Sequence, residues 1–385
     1  DSSNFTSNSF INEFTMDFGF GIYPKYITGR DLDMDGKPEL ILTKSSNGDS
    51  LLVYKNNSLP NSISFGQGQS LGAVGTLSAA RFSTDDLDGD GLPDIVAATN
   101  FFNVFVYRNN SSPGTIQFQP KLIVQSGVGS QDISITDLDN DGRPDLAVAC
   151  FNQSTLSIIR NTSSPGYISF AAKTDIATPS PAVICSAGDL DGDGKKDIVT
   201  QNYLNASSSS LSIFRNLSVP GTIQFATRFD IAIANSALNG KAVHIADMDL
   251  DGKPDLVVVT DNNYQIFLNT STTGSISFAA PVITNVTGFI YGGFIGHLSG
   301  DRKPDLMYGR NSFRYFTIVK NNSSPGTLNL DPPVDIEANY PNNIFSYYGN
   351  SIDFTQDGKP DILVSGTNDS KISIYKNSIG SPVLF

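Results

Sequence analysis

One decapeptide, returning seven times, restricts the fold of this 385-residue chain more than any other feature. DLDMDGKPEL (31–40) recurs as DLDGDGLPDI (86–95), DLDNDGRPDL (137–146), DLDGDGKKDI (189–198) and DMDLDGKPDL (247–256). Weaker copies follow as HLSGDRKPDL (297–306) and DFTQDGKPDI (353–362), so the step varies only from 50 to 58 residues. A second signature runs in phase: VYKNNSLPNSISF (53–65), VYRNNSSPGTIQF (106–118), IIRNTSSPGYISF (158–170), IFRNLSVPGTIQF (213–225), IFLNTSTTGSISF (266–278), IVKNNSSPGTLNL (318–330) and IYKNSIGSPVLF (374–385). Two unrelated patterns on one period establish a true repeat.

Each unit reads as short strands. In the third, ISITDL (133–138) enters the acidic loop, followed by DLAVAC (145–150), TLSIIRN (155–161), a Ser-Ser-Pro-Gly turn and YISFAA (167–172). These runs are short, rich in β-branched and aromatic residues, and bounded by turn formers. Apolar residues at both alternations of DLAVAC mean that both sheet faces are covered. Four antiparallel strands per unit, seven times over, predict an all-β, seven-bladed β-propeller. A linear solenoid has shorter repeats and no need of four strands in each.

The expected organisation is a single domain over 1–385, with blades at approximately 21–71, 72–126, 127–176, 177–233, 234–287, 288–340, and 341–385 plus 1–20. SPVLF (381–385) reads as the fourth strand of the last blade. SNSFINEFTMDF (7–18) aligns its Ser9-Phe10 with Ser169-Phe170, so the N-terminal segment is expected to add to or complete that blade and protect its edge.

The loops gather 25 of the 38 acidic residues, although like charges about 4 Å apart repel by ~1 kcal/mol even in water. The pattern D-x-D-x-D-G-x-x-D sits between the first two strands of each blade. Carboxylates at positions 1, 3 and 5, a turn glycine at 6, a carbonyl at 7 and a carboxylate at 9 make a hard-oxygen set suited to Ca²⁺ rather than Mg²⁺. The expected ligands are Asp31, Asp33, Asp35, Lys37 and Glu39; Asp86, Asp88, Asp90, Leu92 and Asp94; Asp137, Asp139, Asp141, Arg143 and Asp145; Asp189, Asp191, Asp193, Lys195 and Asp197; and Asp247, Asp249, Asp251, Lys253 and Asp255. Loop seven offers a sixth site through Asp353, Thr355, Asp357, Lys359 and Asp361. Loop six has His297, Ser299 and Arg302 at positions 1, 3 and 6 and is expected to be empty, with Arg302 pairing internally. Five Ca²⁺ ions would offset most of the net charge of −13. The plainer alternative is an Asx-rich turn whose aspartates cap main-chain amides.

These loops, with their N-x-S-S-P-G turns, resemble the FG-GAP or VCBS repeat family, which includes the integrin α-chain head. The resemblance spans roughly residues 20 to 385. It implies calcium that stiffens one face of the propeller and a ligand on the opposite face or the side. The FG…GAP wording itself is largely missing, which weakens any inference of integrin-like partners.

Function is less legible. An acidic chain argues against nucleic acid, and no apolar run is long enough for a transmembrane helix. The chain starts at Asp1, as expected of a processed chain or a fragment. Cys150 and Cys185 are either packed thiols or one disulfide. The N-x-[ST] triplets at Asn109, Asn161, Asn216 and Asn269 are explained by turn chemistry without glycans. Aromatic residues opposite the acidic loops, Phe101, Phe102, Tyr203, Phe289, Tyr291, Tyr347 and Tyr348, suit sugar stacking or a protein contact, or else fill gaps between blades. His244 reads as a packed strand residue. No catalytic motif is present, and Lys25, Arg81, Lys241, Arg310 and Arg314 are scattered. The expectation is a monomeric, secreted or surface-bound, non-catalytic binding or adhesion module for a protein or glycan. A calcium-dependent polysaccharide lyase is the alternative.

Overall fold

The computed structural model describes residues 5–6, 8–19, 21–45, 49–59, 62–75, 81–205, 208–233, 242–310, 315–337, 349–366 and 370–379. It holds seven four-stranded antiparallel sheets arranged as a β-propeller, and no helix occurs among the described residues.

Blade three illustrates the unit: Ser130–Thr136, Asp145–Cys150, Thr155–Ile159 and Thr174–Ala177, each strand paired with the next. Its second strand is buried throughout. Leu146, Val148 and Cys150 pack against Val96, Ala98 and Val104 of blade two. Ala147 and Ala149 pack against Ala182, Ile198 and Phe214 of blade four. Alternation thus divides one strand between two neighbours, which is why both registers are apolar. Core clusters join every adjacent pair of blades around to Leu40, Phe354 and Leu363, which join blades seven and one. Full burial of each such aliphatic side chain is worth about 1.5–3 kcal/mol. Cys150 and Cys185 are free, buried thiols.

The fourth strand lies later than the sequence pattern suggests. Tyr167 to Phe170 make only isolated bridges, Ser164↔Tyr167 and Asn161↔Phe170, and the outer strand begins at Thr174. Side chains interrupt the ladder here: Asn161 Oδ1 accepts the Ser163 N–H and Ser163 Oγ accepts the Ser169 N–H.

In blade seven the outer strand is Phe10–Asp17, antiparallel to Lys371–Asn377, with Phe10 opposite Asn377 as Phe170 is opposite Asn161. The segment 381–385, expected to be that strand, lies outside the described residues.

Candidate metal centres

Each acidic loop is held by its own carboxylates. In loop three, Asp137 Oδ2 accepts the Gly142 N–H at 2.8 Å and its Oδ1 accepts that of Asp141 at 3.2 Å. Asp139 Oδ1 accepts the Asp141 N–H at 3.2 Å, and Asp141 Oδ1 that of Arg143 at 3.0 Å. The position-7 residues Lys37, Leu92, Lys195, Lys253 and Lys359 make the same main-chain bond to position 5. Both readings of the loop therefore hold in part, because the Asx-turn bonds coexist with converging carboxylates.

Backbone geometry adds a feature absent from the sequence reading. Position 6 is left-handed, as its glycine predicts, but so is position 4, occupied by Met34 (φ 58°), Asn140 (φ 56°), Leu250 (φ 61°) and Gln356 (φ 55°). Side chains other than glycine rarely adopt this region. In loop six, Arg302 adopts it at position 6 (φ 65°).

Position 9 is buried and doubly bonded. Asp145 Oδ2 accepts the Leu138 N–H at 2.9 Å and Oδ1 accepts the Asn161 N–H at 2.8 Å. Glu39, Asp94, Asp197, Asp255, Asp305 and Asp361 are held by equivalent pairs. Burial, then the neighbouring carboxylates, outweighs those donors. It pushes Glu39, Asp94, Asp145 and Asp361 up to about 7, and Asp197, Asp255 and Asp305 up to about 6.

A second component comes from the chain's own cations. The residue before the asparagine of each turn reaches back to its loop. Arg160 Nε and Nη2 bond Asp139 Oδ2 (2.7 Å) and Asp141 Oδ2 (2.9 Å). Lys55 bridges Asp33 and Asp35, Arg108 bridges Asp88 and Asp90, and Arg215 bridges Asp191 and Asp193. Lys320 pairs with Asp301 and Lys376 with Asp357, so the ion pair at Asp301 is with Lys320 rather than with the expected Arg302. Protein cations thus balance part of the carboxylate charge that the sequence reading left to metal. Lys or Arg at this place in six of the seven turn signatures was the overlooked signal.

Loop five is the exception. Leu268 replaces the cation, and among the described residues no ion pair reaches Asp247, Asp249 or Asp251. The next blade withdraws support as well. The turn amides of Gly114, Gly166, Gly221 and Gly274 donate to Asp33, Asp88, Asp139 and Asp191 of the preceding blade, whereas the Gly326 N–H goes to the main-chain oxygen of Asp249. Burial and the adjacent Asp251 raise the Asp249 carboxyl above its usual range.

Oxygen atoms converge within 4.8 Å from Asp31, Asp33 and Glu39; from Asp86, Asp88 and Asp90; from Asp137, Asp139 and Asp145; from Asp189, Asp191 and Asp197; and from Asp247, Asp249 and Asp251. These are groups able to hold a metal ion. Among the described residues no such group of three forms in loop six or loop seven, where Thr355 Oγ1 lies 3.5 Å from Asp353. A buried Asp31 oxygen, Oδ1, lacks a hydrogen-bond partner. A hard cation fits this donor chemistry.

The model of the FG-GAP-like repeat matches residues 86–148, 137–200 and 247–308. Three FG-GAP-like repeats are thus found within this propeller. No curated protein matches it. Similar solved structures include BBS1N, crystallised in complex with ARL6DN and soaked with lead, with a TM-score of 0.62 and 13% identity over 98% of this chain and 99% of that one. Rhamnogalacturonan lyase YesW is also similar, with a TM-score of 0.54 and 14% identity over 98% and 76% of the two chains. At these identities the likeness is one of fold.

The propeller distributes its other candidates unevenly. Phe101 and Phe102 are exposed. Tyr203 is half-buried against Phe151, and Phe289 lies 5.1 Å from Tyr291 between ring centres. Tyr347 and Tyr348 lie outside the described residues, as do Lys241 and Arg314. Around the axis Arg81, Asp132 and His244 line one cavity of about 200 Å³, a meeting that sequence separation concealed. They bind across blades: Arg81 to Asp132 at 3.1 Å, and His244 Nε2 to Gly293 O at 2.9 Å. Burial lowers the His244 pKa.

Proposed function

We propose that this FG-GAP-like propeller is a calcium-stabilised, non-catalytic binding module, secreted or displayed at a surface and working as a monomeric unit. The observation that carries the metal reading is loop five, where oxygens of Asp247, Asp249 and Asp251 converge with no protein cation paired to them among the described residues. Calcium is favoured over magnesium because the flexible, all-oxygen set does not impose a tight octahedron. Loops of this type suit the millimolar calcium found outside cells. Bound ions would stiffen the acidic face, leaving the opposite face for a protein or glycan ligand.

A calcium-dependent polysaccharide lyase is the second reading, favoured by the Arg81, Asp132 and His244 cavity and by the fold of YesW. The three side chains are engaged in blade-to-blade bonds, which suits ring closure better than proton abstraction. Incubation with acidic polysaccharides decides between them. The binding-module reading expects no unsaturated product, and its appearance overturns that reading. Isothermal titration of the chelated protein with Ca²⁺ tests the metal, and an absence of binding heat removes it.

A further inference from the structure

On the face opposite the acidic loops, five segments of blades two to four carry no charged side chain. Segments 99–103, 126–131, 151–155, 178–183 and 200–204 contain no Asp, Glu, Lys, Arg or His, in a chain of net charge −13. They form one connected surface. The Gly129 N–H donates to Phe101 O, Phe151 N–H to Gly129 O, Thr178 N–H to Ser154 O and Tyr203 N–H to Pro181 O. Side-chain amides extend the network: Gln131 Nε2 bonds Asn100 Oδ1 at 2.7 Å, and Gln153 Oε1 accepts the Val128 N–H at 3.0 Å.

Apolar groups stand proud of this amide surface. Phe101, Phe102 and Leu204 are 44%, 60% and 45% exposed, and in the same segments the half-buried Phe151 and Tyr203 rings meet, tilted, at 6.2 Å between centres. Hydrogen-bonding capacity is unspent in the same segments: Thr155 Oγ1, Ser180 Oγ and both polar ends of the fully buried Gln201 have no partner. An unpaired buried polar group costs about 1–3 kcal/mol.

The geometry points to a neutral, hydroxyl-rich oligosaccharide as the ligand of this face, an inference that rests on the binding-module reading. Ring faces suit the C–H side of a sugar, while amides both donate to and accept from hydroxyls. A protein partner would ordinarily find its register through complementary charges, and an acidic glycan would need cations. This surface supplies neither.

The test is an array carrying neutral and acidic glycans, probed with the intact calcium-loaded chain and with Phe102→Ala and Phe102→Tyr. Phe102 is exposed, so the melting temperature of both variants should match the wild type and exclude misfolding. The expected result is retention on neutral glycans, little changed between low and high salt, at least tenfold weaker in Phe102→Ala and restored in Phe102→Tyr. Retention on acidic glycans alone, capture only by protein ligands, no retention, or indifference to Phe102→Ala overturns the inference but leaves the binding module standing. Release of unsaturated product overturns the binding module itself.

Discussion

Asn161 Nδ2 donates to the carbonyl oxygen of Leu87, 2.8 Å away in the preceding blade and 74 residues earlier in the chain. The same amide bonds Pro144 O in its own blade at 2.9 Å. Asn109, Asn216, Asn269, Asn321 and Asn377 repeat the interblade bond to Leu32, Leu138, Leu190, Met248 and Leu298. Replacing Asn161 with Ala strips two buried acceptors of their partner, at a cost of about 2–4 kcal/mol. Asn110→Ala, at the exposed position after Asn109 in the equivalent turn of blade two, should change stability by less than ~0.5 kcal/mol. Urea melts compare the two, and equal midpoints would refute the clamp. The first N-x-[ST] asparagine in these turns is therefore an interblade donor, buried with its amide in use.

Calcium dependence should track the protein cations. Leu268→Arg would supply loop five with the group that Arg215 gives loop four. The expected outcome is one fewer tightly bound Ca²⁺ and a higher melting temperature in chelator. Arg160→Leu should act oppositely, costing about 1–2 kcal/mol in chelator and regaining part of it in calcium. Asp139→Ala should cost more than Asp301→Ala, because Asp139 serves Arg160, Gly221 and Asp141 together. Calorimetric stoichiometry and paired melts check these, and a Leu268→Arg chain with unchanged stoichiometry counts against the assignment.

The repeat, the blade count and the address of the acidic loops were all legible, because a period near fifty residues is written directly in Asp, Gly and Pro. The outer strands were not. Thr174–Ala177 is exposed on the sheet edge and has no strong apolar pattern, while Tyr167–Phe170 has one because Ile168 and Phe170 pack against the neighbouring blade. Position 9 was legible only in part, for a similar reason: Glu39, Asp145 and Asp197 do join groups able to hold a metal, but their main-chain partners were hidden. A carboxylate looks the same in sequence whether it faces a cation or two main-chain amides, and only the fold brings the Leu138 and Asn161 N–H groups to Asp145. The neutral face was hidden because its charge-free segments are separated by strands and only their loop bonds unite them.

Stability should depend on pH in opposite senses with and without metal. The seven position-9 carboxyls are raised to about 6 or 7 in the fold, against ordinary values of 3.8 for Asp and 4.5 for Glu. A raised folded pKa means that the native state holds protons which the unfolded chain has released. Stability in chelator is therefore greatest near the unfolded values and falls as pH rises through about 7. His244 opposes this as one group: its depressed pKa costs stability as pH falls through its unfolded value near 6.5. Melts in chelator should drop between about pH 5 and pH 8, whereas saturating calcium, which competes better as protons leave, should flatten or reverse the trend. A chelated protein that melts higher at the alkaline end would contradict the assignment.

Ring closure by the N-terminal strand gives the last expectation. Phe10–Asp17 covers the edge of Lys371–Asn377, and its Phe14 ring meets Phe65 of blade one at 5.3 Å between centres. Thr15 Oγ1 also lies 2.8 Å from Ser373 Oγ. Removing residues 1–18 takes away both the ladder and that packing, and it leaves an unprotected edge able to pair with another chain. The shortened protein should unfold at lower urea and scatter more light than the full chain at equal concentration. Restoring residues 8–18 by a flexible linker after residue 385 should reverse both changes, because the strand is needed at that edge whichever end of the chain delivers it. A shortened chain as stable as the original and scattering no more light would mean that the ring is closed by something other than this strand.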